Sequence, residues 1–307
     1  MKNPENALAK EIAALKEKKN AVILAHNYQR PEIQEIADYV GDSLALSREA
    51  VSTDAKVIVF CGVDFMAETA AIMNPGKVIL HPDRCAICPM AMMLTPGGIR
   101  AAKKKYPDAD VVLYINSTAE TKAEADCICT SANTPEVVDS MASETILFGP
   151  DKNLAYYVQK RSEKKIIPVP EHGVCPTHHQ ISKEDVLTAL GGHPGAELVV
   201  HPEVTPEVQD MAQHITSTEG MIGYCRNSPA REFIIGTEEG MLYRLRKEVP
   251  EKIFYLISGT TVCPAMKMIT LEKLRDSLRD MRHQVTVPKH IASSAKKAIE
   301  CMLEITP

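Results

Sequence analysis

Three cysteines of this chain are followed by proline: Cys88-Pro89, Cys175-Pro176 and Cys263-Pro264, spaced 87 and 88 residues apart. The other six, Cys61, Cys85, Cys127, Cys129, Cys225 and Cys301, are not. With 20 prolines in 307 residues, chance puts Pro after a given Cys roughly one time in fifteen. Three evenly spaced pairs therefore point to a repeated unit that delivers one thiolate per copy. Thiolates are soft ligands, suited to zinc or to iron–sulfur clusters. A structural zinc wants four protein ligands, and Cys85-x-x-Cys88 with His178 or His179 near Cys175 keeps that reading open. Buried reduced thiols would account for one such cysteine but not for three in register. A four-iron cluster held by only three cysteines leaves one iron open as a Lewis acid for oxygen ligands, which suits the dehydration of a carboxylate substrate.

Other reactive side chains follow the same period. An apolar run at 21–25 ends in His26-Asn27-Tyr28, a second at 111–114, closing on Tyr114, in Ile115-Asn116-Ser117, and a third at 197–200 in His201-Pro202-Glu203. Ser43, Ser131 and Thr218 each lie 17 residues beyond His26, Tyr114 and His201. A hydroxyl at a helix entrance either caps free N–H groups or helps to bind a carboxylate or phosphate there. Three in register favour ligand binding. Glu203 is the one carboxylate among these strand-end residues and so the candidate general base. Arg84 could pair with an anion or, equally, with a structural partner such as Asp83.

The elements that must position these groups are legible too. Runs at 57–60, 145–148 and 232–235 lead to Gly62, Gly149 and Gly236, spaced 87 residues apart, and each glycine is followed two residues on by Asp64, Asp151 or Glu238. An acidic residue opening a helix suits the helix dipole. A last strand in each copy runs towards the Cys-Pro pair. The order strand, helix, short strand, helix, strand, helix, strand describes an α/β unit with a mostly parallel sheet, whose chemistry collects beyond the carboxyl ends of its strands. The expected fold is three homologous α/β/α domains with mostly parallel sheets around a pseudo-threefold axis. Their expected bounds are 1–107, 108–193 and 194–307, with carboxy-terminal helices (one from Thr270 through Met281, one over 289–303) packing back on an amino-terminal helix at 7–18.

Bulk properties narrow the partners. A net charge of −5 gives no reason to expect nucleic acid or an anionic membrane. No apolar run reaches the roughly 18 residues of a membrane span. The first 20 residues carry five lysines and no signal-peptide core, so a cytoplasmic location is expected. There, nine cysteines read as reduced thiols or metal ligands, not as a disulfide framework.

The ordered motifs Ala25-His26-Asn27-Tyr28-Gln29, Gly41-Asp42-Ser43, Gly62-Val63-Asp64-Phe65-Met66-Ala67-Glu68, Cys88-Pro89-Met90-Ala91, Tyr114-Ile115-Asn116-Ser117, Cys129-Thr130-Ser131-Ala132-Asn133, Phe148-Gly149-Pro150-Asp151, His201-Pro202-Glu203 and Gly236-Thr237-Glu238 span nearly the whole chain. Together they resemble the quinolinate synthase family. That resemblance implies a transferase of de novo NAD synthesis with a [4Fe-4S] cluster on Cys88, Cys175 and Cys263. It implies condensation of iminoaspartate with dihydroxyacetone phosphate to quinolinate, releasing phosphate and two waters. By motif match, iminoaspartate would be held by His26, Ser43, Tyr114, Asn116, Ser131, His201, Glu203 and Thr218, with Tyr28 near the triose and Glu203 moving protons. An enzyme supplying iminoaspartate is the implied functional partner. Some members carry a tight carboxy-terminal cysteine cluster; here Cys263 has no near neighbour, so no redox switch is expected at that place. Cys85 is extra to the core motif. Two other classes share these residues: a different cluster-dependent hydro-lyase, and a non-catalytic, zinc-bound dicarboxylate sensor.

Overall fold

The computed structural model of the protein describes residues 4–305. Its twelve strands form three separate four-stranded sheets. The first holds β1 (Ala21–His26), β2 (Tyr39–Gly41), β3 (Val57–Cys61) and β4 (Val78–Leu80). The second holds β5 (Asp110–Tyr114), β6 (Cys127–Cys129), β7 (Thr145–Gly149) and β8 (Lys165–Pro168). The third holds β9 (Glu197–Val200), β10 (His214–Ile215), β11 (Glu232–Gly236) and β12 (Ile253–Leu256). Each has its second strand at one edge, followed by the first, third and fourth, and every pairing is parallel.

The repeat extends to the register. Leu24 faces Tyr39, Val112 faces Cys127 and Val199 faces His214, an offset of 15 residues in each sheet. Ala21 faces Val57, Asp110 faces Ile146 and Glu197 faces Phe233, an offset of 36 in each. Only the last pairing departs, 21 residues in the first and third sheets and 20 in the second. Parallel neighbours need crossover segments, and the helices between strands supply them. Because such sheets are covered on both faces, their central strands read as unbroken apolar runs: Ile23, Leu24, Ile58, Val59, Leu198, Val199 and Ile234 are all fully buried.

The chain groups into two compact units. One runs to Cys88 and includes Cys263–Ala292; the other is Pro89–Val262 with the chain from Ser293 on. In the first, the amphipathic helices Pro4–Lys19 and Leu271–Asp280 pack together over the first sheet. Ile12, Leu271, Leu274 and Leu278 join Ile23, Val57, Val59 and Leu80 in one core. In the second, Val186 and Val208 pack with Leu198, Val200 and Ile234. The helix Lys289–Ile305 buries Ala295, Ala298, Ile299 and Met302. Among the described residues, no helix is long and apolar enough to cross a membrane.

One sequence expectation changes. Cys127 and Cys301, 174 positions apart in the sequence, form a disulfide with Cα atoms 5.5 Å apart, so these two are neither reduced thiols nor metal ligands. The physical reason is placement: the last helix sets Cys301 against β6 within the span a disulfide accepts. The hydroxyls of the repeat, moreover, are not the helix caps. Asp42 caps Ser43–Ser52 and Ser217 caps Thr218–Asn227, so Ser43 and Thr218 are the first helical residues. Thr130 and Asn133 close the turn before Thr134–Ser140, leaving Ser131 out of the capping bonds.

Two glycines of the repeat are required by close approach. A Cβ on Gly149 would lie 1.9 Å from the Val169 carbonyl oxygen, and one on Gly236 would lie 2.7 Å from Cγ1 of Val200.

Candidate active site

In the second unit, the strand ends of the second and third sheets converge on Glu203. Its carboxylate is nearly fully buried. Tyr114, at the end of β5, donates its hydroxyl to Glu203 Oε1 at 2.7 Å, and Asn116 Nδ2 reaches the same oxygen at 3.5 Å. On the other oxygen, His178 Nδ1 lies 2.7 Å from Oε2 and His201 Nδ1 lies 3.8 Å from it. The two imidazoles stack, with centroids 4.8 Å apart. His201 Nδ1 accepts the Glu203 backbone N–H at 3.4 Å, leaving Nε2 for Ser131 Oγ at 3.2 Å. His178 Nε2 meets Thr237 Oγ1 at 2.8 Å.

Burial works to raise the Glu203 pKa, but His178 and His201 beside it and the hydrogen bonds from His178 and Tyr114 outweigh it. The carboxyl is held well below the usual carboxylate range, so it is ionised at neutral pH. Asp151 moves the opposite way: burial and then the nearby charge of Glu203 push its pKa well above the ordinary value. Asp151 still accepts three backbone N–H groups, those of Asn153 and Leu154 at its own helix and that of Cys175 at 3.0 Å.

That last bond has a counterpart in the first unit. Asp64 accepts the Cys88 N–H at 2.9 Å, again 24 residues back along the chain. Cys175 and Cys263 also hold equivalent places, each preceding a short helix whose first residue is proline. Cys88, Cys175 and Cys263 are all half-buried. The remaining unpaired cysteines compete poorly as ligands. Burial pushes the thiols of Cys61, Cys129 and Cys225 up, the latter two to about 12, and Cys85 is exposed with its N–H on Asp83. Within their own units, Cys88, Cys175 and Cys263 are thus the thiols whose half-buried places suit a ligand.

The first unit carries His26, Tyr28, Ser43, Cys88 and Cys263. His26 Nδ1 accepts the Tyr28 N–H at 3.1 Å, and the two rings meet edge to face at 4.6 Å. The loop bearing them is tied to the helix that follows Cys263. Lys267 Nζ donates to the Tyr28 carbonyl at 2.8 Å, and Arg30 Nε to the Lys267 carbonyl at 2.9 Å.

Several functional residues escaped the sequence reading. His178 stood there only as a zinc candidate, yet it is the nearest nitrogen to the Glu203 carboxylate. The signal was a break in the repeat: three residues after each Cys-Pro cysteine stand Ala91, His178 and Met266. Asn153, which donates to the Glu203 carbonyl at 2.9 Å, was also missed. So was a set of buried donors eight residues beyond His26, Tyr114 and His201. Gln34 Nε2 binds the carbonyls of Asn27 and Gln29, and Gln209 Nε2 those of Pro202, Val204 and Asn153. Lys122, fully buried, donates to the Ser117 carbonyl. Each donor holds the carbonyl three residues past the strand-end residue, which fixes the loop that carries the site.

Residues 10–304 match the family model described as quinolinate synthetase A protein (NadA). The chain is 55% identical over 298 residues to "Quinolinate synthase 1" of Methanosarcina acetivorans, covering 97% of each chain. It is 55% identical over 299 residues to the quinolinate synthase of Pyrococcus furiosus, covering 97% of this chain and 98% of that one. With the protein of the same name from Thermodesulfovibrio yellowstonii it shares 50% over 300 residues, covering 98% and 99%. A match of this extent, on a thrice-repeated parallel sheet with a buried, ionised glutamate at its strand ends, places the chain in the quinolinate synthetase A family of enzymes.

Proposed function

We propose that the protein condenses iminoaspartate with dihydroxyacetone phosphate to quinolinate, releasing phosphate and two waters, as a step of NAD biosynthesis. The observation that carries this reading is the Glu203 carboxylate, buried and held by Tyr114 and His178 at 2.7 Å each. Cys88, Cys175 and Cys263 would hold a [4Fe-4S] cluster, which when bound supplies a Lewis-acid iron with an open position for substrate oxygen. The Asp64 and Asp151 carboxylates would steady two of the three cysteines through their backbone N–H groups.

The protein's own residues divide the remaining work. His26, Ser43, Ser131, His201 and Thr218 bind the substrate carboxylates as hydrogen-bond donors, with Asn116. Ser43 and Thr218 suit this because their helix caps are supplied by Asp42 and Ser217. Tyr28 serves the triose. Glu203 moves protons, but a carboxylate held so low is a weak acceptor by itself. It works with His178: the carboxylate 2.7 Å from Nδ1 stabilises the imidazolium, which gives its proton to the reacting group and takes it back. Tyr114 holds the other oxygen and keeps the carboxylate in place.

The same reading gives three homologous domains (1–107, 108–193 and 194–307), a cytoplasmic protein, and coupling to an enzyme that makes iminoaspartate. The test is product analysis. Protein purified and reconstituted without oxygen, given both substrates, is expected to form quinolinate and phosphate in equal amounts. Consumption of substrate without quinolinate would overturn the assignment in favour of another hydro-lyase.

A further inference from the structure

Cys175, His178 and Glu203 bring a thiol sulfur, an imidazole nitrogen and a carboxylate oxygen within 4.8 Å of one another, all inside the second unit. Cys175 Sγ lies 3.2 Å from His178 Nδ1, and Glu203 Oε2 lies 2.7 Å from the same nitrogen. Ligand atoms around a tetrahedral zinc, bonded at about 2.0–2.3 Å, stand roughly 3.3–3.7 Å apart. The two spacings about the imidazole nitrogen need to change by about 0.3–0.6 Å, and the sulfur and carboxylate oxygen, within 4.8 Å of each other, to close by about 1.3 Å at most, for the three to enclose an ion.

The atoms behind the ligands are also in place. His178 Nε2 sits 2.8 Å from Thr237 Oγ1. With Nδ1 on a metal, the Nε2–H donates to that hydroxyl oxygen, the outer contact that fixes tautomer and ring orientation in metal-bound histidines. Glu203 Oε1 stays held by the Tyr114 hydroxyl, and the Cys175 backbone by Asp151.

We propose that the chain, in the absence of a cluster, binds one divalent ion of the zinc type through Cys175, His178 and Glu203, with a fourth position open to water. One sulfur, one nitrogen and one oxygen ligand suit Zn2+ or Co2+, whereas Mg2+ and Ca2+ require oxygen. The Cys175 thiol proton and the Nδ1 proton of His178 leave to solvent; Glu203 is already ionised, and no electrons are exchanged. In one respect this rests on the functional reading above: Cys175 is there also a cluster ligand, so the zinc-bound and cluster-bound forms exclude each other.

The test is an anaerobic titration of the metal-stripped, full-length chain with Co2+, which needs neither cluster nor substrate and so stands or falls apart from the catalytic assignment. One equivalent is expected to bind with a thiolate-to-cobalt absorption band that Zn2+ abolishes. Cys175→Ala should lose the band, and His178→Ala and Glu203→Gln should each weaken binding by at least ~10-fold. Cys88→Ala and Cys263→Ala should bind like the unaltered chain. If circular dichroism shows His178→Ala to be unfolded, the near-isosteric Glu203→Gln decides. Unchanged affinity in Glu203→Gln overturns the site. So does loss of the band in Cys88→Ala or Cys263→Ala, which would put the ion on three thiolates.

Discussion

The loop after β1 and the loop after β9 are built on one frame and carry different chemistry. In each, a histidine at the strand end accepts, through Nδ1, the backbone N–H of the residue two positions on. In each, a buried glutamine eight residues from that histidine binds the carbonyls one and three positions past it. The side chain two positions on is Tyr28 in one loop and Glu203 in the other. Tyr28 meets its histidine ring edge, while Glu203 gathers Tyr114, Asn116 and His178. The backbone scaffold is thus a copied part, and the loops differ in the single side chains that depart from the copy. His178 repeats the lesson, standing where the other two Cys-Pro segments have Ala91 and Met266.

The cysteines offer the largest test of what is copied. Cys88→Ala, Cys175→Ala and Cys263→Ala are each expected to lose the iron–sulfur absorbance and essentially all quinolinate formation, whereas Cys85→Ala keeps both. The visible spectrum after anaerobic reconstitution checks this. Loss in Cys85→Ala with retention in Cys88→Ala would break the register on which the comparison rests.

The glutamine frame predicts equal damage in unequal chemistry. Gln34→Leu and Gln209→Leu keep the volume but leave buried carbonyls without a donor, at a cost of about 2–4 kcal/mol each in urea unfolding. Lys122→Gln should be tolerated far better than Lys122→Leu, since glutamine already fills that place in the other two copies. If either glutamine variant proved neutral, the shared frame would be incidental.

Cys301→Ser removes the one covalent tie of the last helix to β6, and about 2–4 kcal/mol of stability should go with it. A reducing agent should reproduce that loss in the unaltered chain and add nothing to the variant.

The smallest effect concerns acid. Glu203 has a folded pKa below its ordinary 4.5, so its contribution to stability is complete above that pH and fades as pH falls below it. Asp151, raised by burial and by Glu203, opposes folding when ionised, and acid relieves it. Glu203→Gln should therefore flatten the acid side of the stability curve, measured by thermal unfolding between neutral pH and pH ~3. An unchanged acid limb would remove the ionised carboxylate from the account.

How much of this was legible in the sequence follows the same division. Periodic features were readable because three copies reinforce one another: the sheets, their strand ends, the glycines and the Cys-Pro pairs each appear at a fixed interval. For Ser43 and Thr218 spacing left capping open beside ligand binding, because a cap can fall on either of two adjacent polar residues, and Asp42 and Ser217 take it. The Cys127–Cys301 disulfide has no counterpart in a repeat and joins residues 174 apart, so spacing carried no trace of it. Thr237 and Asn153 were hidden for a similar reason, since their roles are set by what other segments bring beside them.

The most direct test of the claim that one departing side chain carries the chemistry is the rate of quinolinate formation by Glu203→Gln, measured on protein whose cluster absorbance matches that of the unaltered enzyme. A fall of about 10²–10⁴-fold with the cluster retained is the predicted result. An unaltered rate at full cluster content would contradict it.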